Sequence, residues 1–165
     1  MGNRIIILDH QKIEQKIKRI AYEIYESNVD VTSLVIAGID ERGYELALRL
    51  KNNIEKISDI KIELYKLSNN KKRDKTEIEI DPQPDFNDCI VVVVDDVIDS
   101  GRTLSYAVKK IMDYPVKRIQ TAVLVDRSHH QFPINADFVG ISLATTLQEH
   151  IHVEFSNNND VAYLI

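Results

Sequence analysis

Five consecutive β-branched residues, Ile90-Val91-Val92-Val93-Val94, leave this chain little choice of fold. A strand with no polar position on either side of its pleat belongs inside a sheet covered on both faces, because a wetted face would show alternating polar residues. The run stops at Asp95-Asp96, then continues as Val97-Ile98-Asp99-Ser100-Gly101-Arg102-Thr103 into a predicted helix from about Thr103 to Asp113, with Leu104, Ala107, Val108 and Ile111 as its inner stripe. The charge therefore gathers where a buried strand meets a helix.

The rest of the chain repeats that alternation. Asp9 is placed to cap a helix in which Ile13, Ile17, Ile20, Ala21, Ile24 and Tyr25 recur at helical spacing. Leu34–Gly38 reads as a strand, followed by a loop and a helix from Tyr44 to Ile57. Ile60, Ile62 and Leu64 alternate with Lys61 and Glu63 as in a half-exposed strand. Ser68–Ile80 reads as an exposed hairpin or flexible flap, mobile between Asn69 and Lys75, before Pro82 and Pro84 break the pattern. A last strand, Ile119–Val125, ends at Asp126-Arg127. The expected fold class is α/β, a doubly wound and mainly parallel sheet flanked by helices, with ligands at the carboxyl ends of its strands.

With 165 residues and 44% hydrophobic content, residues 1–165 suffice for one domain with a complete core. The net charge of −5 excludes a general basic surface for nucleic acid or anionic membrane, so any polyanion must be held locally. The single cysteine, Cys89, opens an apolar run and reads as a small buried hydrophobe in a reducing compartment. Met1 to Leu8 has no signal-peptide run, and no stretch reaches membrane-spanning length. A cytoplasmic location is expected.

The segment Asp95–Thr103 has the parts of a phosphate-sugar site. Gly101 permits a backbone turn that aims the N–H groups of Asp99–Thr103 inward, and the helix amino terminus adds its positive end. A phosphate monoester fits there, with Ser100 and Thr103 as hydroxyl donors. Asp95 and Asp96 are placed to accept from two neighbouring ribose hydroxyls.

This segment resembles the 5-phosphoribosyl-1-pyrophosphate (PRPP) motif of type I phosphoribosyltransferases. The likeness extends through Ile7-Leu8-Asp9, Arg19-Ile20-Ala21-Tyr22-Glu23-Ile24, Gly38-Ile39 with Arg42-Gly43, and Ala122–Arg127 with Pro133-Ile134 and Ala136-Asp137. In order and spacing these match the pyrimidine-operon attenuator and uracil phosphoribosyltransferase branch. The resemblance implies a type I fold with a flexible hood at about residues 66–80. It also implies transfer of ribose 5-phosphate from PRPP to a nucleobase, uracil or purine-type, with pyrophosphate released. Asp95, Asp96 and Arg42 would be catalytic, and Asp99, Ser100, Gly101, Arg102 and Thr103 would hold the 5-phosphate. Asp40, Glu41, Arg42, Gly43 and Lys66 would serve the pyrophosphate, and Val97, Asp126 and Arg127 the base. Mg²⁺ would be carried mostly by substrate, with Asp95 and Asp96 acting on it through ribose and water. A homodimer or larger homo-oligomer is implied, with Tyr22 and Tyr25 read as contact residues or, more economically, as core.

The chain departs from that branch at identifiable places. Asp40-Glu41 stands where the branch has a lysine and a threonine, and the hood carries Asn69-Asn70-Lys71-Lys72-Arg73-Asp74-Lys75. Ser128, His129, His130 and Gln131 follow Arg127, with His129 a hydrogen-bonding partner for a base or a neighbouring loop. RNA binding, a property of attenuator members, is disfavoured by Asn135, Thr146 and Leu147 at expected basic positions, and Lys18 with Arg19 reads as solvated surface. Two alternatives to the enzyme are a nucleotide-sensing RNA-binding regulator of pyrimidine genes and a catalytically degraded nucleotide-binding protein.

Overall fold

The computed structural model describes residues 4–72, 75–146 and 149–165. Arg73 and Asp74 of the basic hood segment, and Leu147, lie outside these residues.

The all-apolar run forms β5 (Ile90–Ile98), near the middle of a six-stranded sheet. Across that sheet the order is β4 (Lys75–Ile80), β3 (Lys61–Lys72), β2 (Ser33–Ile39), β5, β6 (Arg118–Asp126) and β7 (Phe138–Ser142). All neighbours run parallel except β3 and β4, which form an antiparallel hairpin. Val92 and Val94 face one core, shared with helices α1 (His10–Glu26) and α2 (Asp40–Ile57). Val91 and Val93 face the other, under α3 (Arg102–Ile111). Each of these four valines is fully buried, a stabilisation of roughly 1.5–3 kcal/mol apiece. The doubly wound expectation holds, and Ser68–Ile80 takes the hairpin form with an ordered ladder at Asn69↔Ile78 and Asn70↔Glu77.

The helices follow their stripes. Asp9 Oδ1 accepts from the Lys12 amide at 2.9 Å, and Ile13, Ile17, Ile20, Ala21 and Ile24 bury one face of α1. Tyr25 packs on the core while Tyr22 stays exposed. Arg19 is not simply solvated: its Nη2 donates to the carbonyls of Val139 and Gly140, fixing α1 to β7.

Two boundaries differ from the sequence expectation. β5 runs on to Ile98, because β6 continues beside it and pairs Asp95 with Val123 and Val97 with Val125. The residues expected as a loop before Tyr44 form the first turn of α2, which starts at Asp40 in a left-handed conformation (φ 52°).

A second sheet was not expected at all. β1 (Ile5–Leu8), β9 (Val161–Leu164) and β8 (Ile151–Glu154) form an antiparallel sheet in the order β1-β9-β8. Asp160, just before β9, holds it to the main body. This buried carboxylate takes Arg49 Nη1 and Nη2 from α2 at 2.5 and 3.1 Å, the Ser156 amide at 2.9 Å and His10 Nδ1 at 2.9 Å. Burial alone would push its pKa up, but these donors overcome it and hold the group below the ordinary carboxylate range.

Replacing Asp160 by Asn should therefore cost about 2 kcal/mol at neutral pH, since Arg49 keeps only the more exposed Glu45 and Glu14, and the Ser156 amide and His10 lose a charged acceptor. A depressed carboxylate pKa stabilises the fold above the unfolded value and ceases to do so as pH falls through the folded one. Thermal melts of wild type and Asp160→Asn should accordingly converge below about pH 4.

Candidate functional site

The cleft at the carboxyl ends of the strands has a volume of about 270 Å³. β5 and the turn after it contribute Asp95, Asp96, Val97, Asp99 and Thr103, while the β2–α2 junction contributes Ile39, Asp40 and Arg42. Asn69, Arg127, His150 and Ile151 complete the wall. A smaller pocket of about 80 Å³ lies under the turn, lined by Asp99, Ser100, Gly101, Arg102 and Thr103, and shares Asp95, Val97, Asp99 and Thr103 with the larger one.

The turn sets the amino terminus of α3 at the smaller pocket. Gly101 sits at φ 81°, where a side chain would be strained and its Cβ would meet Ile134 Cγ2 at 2.8 Å. It stands at the N-cap of α3 and brings no side-chain cap; of the first-turn N–H groups, that of Arg102 donates to Ser100 Oγ at 3.3 Å, and the helix presents its positive end at the pocket. The amides of Gln131 and Phe132 brace the turn from behind by donating to the Ser100 carbonyl at 2.8 and 3.1 Å.

The aspartates differ in setting. Asp96, 8% exposed, has its Oδ2 at 3.2 Å from Arg42 Nε. Asp95 Oδ1 accepts the Asp96 amide at 2.9 Å, but burial, then the adjacent Asp96 charge, with Asp40 adding to it, push the Asp95 carboxyl well above the ordinary range. Arg42 reaches Asp96 because Gly43 lets the first turn of α2 press against β5: a Cβ there would lie 2.8 Å from the Val94 carbonyl oxygen.

Arg127, 3% exposed, joins three segments. Its Nη1 lies 2.8 Å from Asp99 Oδ2, Nε donates to Thr145 Oγ1 at 3.0 Å, and Nη2 donates to the Thr146 carbonyl at 3.1 Å. His129 Nε2 contacts the Thr145 carbonyl, so this histidine serves the neighbouring loop.

Four expected positions, Glu41, Gly43, Lys66 and Asp126, fall elsewhere. Lys66 pairs with Glu41 on a separate groove beside Tyr44 and Tyr65, and neither Lys66 nor Glu41 lines the cleft. The reason is the strand period of two: Asn69 of β3 lines the cleft, and Lys66, an odd number of residues away, faces oppositely. Asp126 is engaged by the Ser128 amide at 2.7 Å and His130 Nε2 at 2.8 Å, and does not line the cleft. Arg102 borders the smaller pocket while its Nε donates to Thr76 of β4 at 3.3 Å and its guanidinium lies near the rings of Tyr106 and Phe132. Asp40 lines the cleft, but its Oδ1 accepts the Asn69 amide at 2.8 Å.

Sequence reasoning missed Asn69, Thr145, His150 and Ile151. His150 and Ile151 come from the start of a four-residue strand, too short to show a pattern. Asn69 did carry a signal, being an amide in the apolar row of Tyr65 and Leu67.

Comparison with known proteins agrees with this geometry. The family model for the phosphoribosyl transferase domain matches residues 5–159. The chain is 38% identical to the Bifunctional protein PyrR of Caldicellulosiruptor bescii, over 94% of this chain and 92% of that one. It is 36% identical to the protein of the same name from Bacillus pumilus, over 98% and 97%. In fold it is similar to a hypoxanthine-guanine phosphoribosyltransferase of Bacillus anthracis, with TM-score 0.80 and 16% identity over the whole of both chains. A Trypanosoma cruzi hypoxanthine phosphoribosyl transferase superposes with TM-score 0.78 and 16% identity, over 96% of this chain and 90% of that one. The chain belongs to the phosphoribosyl transferase domain family, and the type I resemblance read from the sequence stands. It is a phosphoribosyltransferase. No helix of the described residues is long and apolar enough to cross a membrane.

An acid whose pKa is raised on folding destabilises the fold once pH climbs past its ordinary value. Asp95→Asn, which keeps an acceptor for the Asp96 amide, should therefore melt about 2–4 °C above wild type at pH 7. Calorimetry should show that gain disappearing below about pH 4, where the carboxyl is neutral in both states.

Proposed function

We propose that the chain transfers the ribose 5-phosphate of PRPP to a nucleobase, uracil or purine-type, and releases pyrophosphate. One observation carries this reading: a carboxylate doublet near the end of a buried strand adjoins, through two hollows with shared walls, a helix amino terminus whose N-cap is a left-handed glycine without a side chain. The spacing suits a sugar whose hydroxyl edge meets acids while its terminal phosphate meets amides.

The chemistry assigned to each residue follows from charge. A base nitrogen forms a bond to the anomeric carbon as the bond from that carbon to the pyrophosphate oxygen breaks, and the base gives up its proton. Positive charge grows on the ribose in the transition state, and the fixed carboxylate of Asp96 stabilises it without reorganising, while Asp95, whose ionisation the site disfavours, is placed to accept from a ribose hydroxyl. Arg42, already beside Asp96, offers positive charge on the leaving-group side. Thr103, Ser100 and the first-turn amides of α3 hold the phosphate. Val97, Arg127, His150 and Ile151 line the remaining wall, where the base is assigned.

The crowding of Asp95 by Asp96 and Asp40, all hard oxygen donors, fits a divalent cation near the doublet. Mg²⁺ brought in with the substrate phosphates would supply Lewis-acid stabilisation of the departing pyrophosphate.

The two departures at the pyrophosphate loop weigh little against activity. Glu41 is balanced by Lys66 outside the cleft, and Asp40 is occupied by the Asn69 amide. The relatives' printed name, bifunctional, admits a second role, but Arg19 is committed to β7 carbonyls, which disfavours a basic RNA face on α1. The cytoplasm and a homo-oligomeric state remain part of the proposal.

Pyrophosphate release should be measured with PRPP, Mg²⁺ and uracil, hypoxanthine or guanine in turn. Turnover with at least one base is expected, and Asp96→Asn should lower kcat about 100-fold with an unchanged circular dichroism spectrum. Wild-type protein inert with every base, or near-normal turnover in the variant, would reject the reading.

A further inference from the structure

Beyond the residues that the phosphoribosyl motif supplies, β3 presents an anomaly of its own. Its side chains alternate, so Tyr65, Leu67 and Asn69 share one face. Leu67 is fully buried in the core under α3, and Tyr65 packs against the same core. Across the hairpin Asn69 stands opposite Ile78, itself 4% exposed. An apolar side chain is what this row asks for, and a polar one at such a position signals a use.

The placement of Asn69 is also held. β2 ends at Ile39, paired with Leu67, so β3 outruns it by the length that brings Asn69 over the start of α2. There Asp40 Oδ1 accepts the Asn69 amide at 2.8 Å, from a residue with a left-handed backbone. The side chain lines the cleft together with Asp40, Arg42, Asp95 and Asp96. Its Oδ1 is buried and, among the described residues, has no hydrogen-bond partner.

A half-buried side chain that is oriented by its backbone, keeps one end of its carboxamide unsatisfied among the described residues and lines a ligand cleft is best explained by a bond made with the ligand. The two ends of a carboxamide exchange by a half-turn of its terminal torsion, so the same position offers a donor as readily as an acceptor. On this side of the cleft lies Arg42, the cation assigned to the leaving group. We infer that Asn69 is a substrate-contacting residue that donates its side-chain N–H to the diphosphate end of PRPP, and that Asp40 positions it by holding its main-chain amide. This rests on the transfer reaction proposed above. It gives Asp40 a positioning role, because its Oδ1 holds the Asn69 amide at the edge of the cleft.

Two substitutions test it through steady-state kinetics, product inhibition by inorganic pyrophosphate with Mg²⁺, and thermal melting. Asn69→Leu restores the apolar row, so it should melt at or above the wild-type temperature while raising KM for PRPP and the pyrophosphate inhibition constant about tenfold. KM for the base should stay within twofold. Asn69→Asp puts a negative charge against the diphosphate and should weaken both constants at least as much. An unchanged KM for PRPP in Asn69→Leu, or a melting temperature lowered by it, would overturn the inference and leave the amide a structural residue. Tighter PRPP or Mg²⁺ use by Asn69→Asp would overturn it as well, since that is the behaviour of a metal-facing oxygen. Wild-type protein that releases no pyrophosphate with any base rejects the transfer reaction itself, whereas active wild type with an indifferent Asn69→Leu rejects this assignment alone.

Discussion

Burial of β5 on both faces is the constraint from which the rest of the structure follows. Val91 to Val94 each need an apolar neighbour on their own side, which requires helices above and below the sheet and parallel strands on either hand. Charged groups cannot enter that strand until the covering layers end. Asp95 and Asp96 occur where they do, and the helix that begins after Gly101 directs its amino terminus to the same place.

Charge at the cleft is arranged by pairing rather than by excess. Asp96 has Arg42, Asp99 has Arg127, and Asp40 has the Asn69 amide, which leaves Asp95 as the carboxyl whose ionisation the protein does least to favour. A net-negative chain thereby gathers paired acids and a helix amino terminus around adjoining small openings. Water-facing pairs such as Glu41 and Lys66 take no part, although both lie within a few residues of groups that do.

What could be read from sequence was whatever produced a period or a local turn. The stripe of α1, the apolar run of β5 and the glycine turn at 101 are properties of contiguous residues and are observed as expected, apart from the extension of β5 to Ile98. The errors concern long-range pairing. Nothing local shows that β1 joins β9, that Asp160 reaches Arg49, or that β6 prolongs β5 past the aspartates. Lys66 lies off the cleft because strand parity turns it away from Asn69, and Asp126 because proximity in sequence to Arg127 does not give a shared orientation. Even so, the segment 95–103 was assigned residue by residue from sequence and gathers around two adjoining hollows.

Arg127 ties distant pieces of chain to a common pivot. The turn that ends β5, reached through Asp99, and the stretch leading from β7 towards β8, reached through Thr145 and Thr146, hang from one sequestered guanidinium. Both pieces share that anchor, so loss of the guanidinium would release Asp99, Thr145 and the Thr146 carbonyl together.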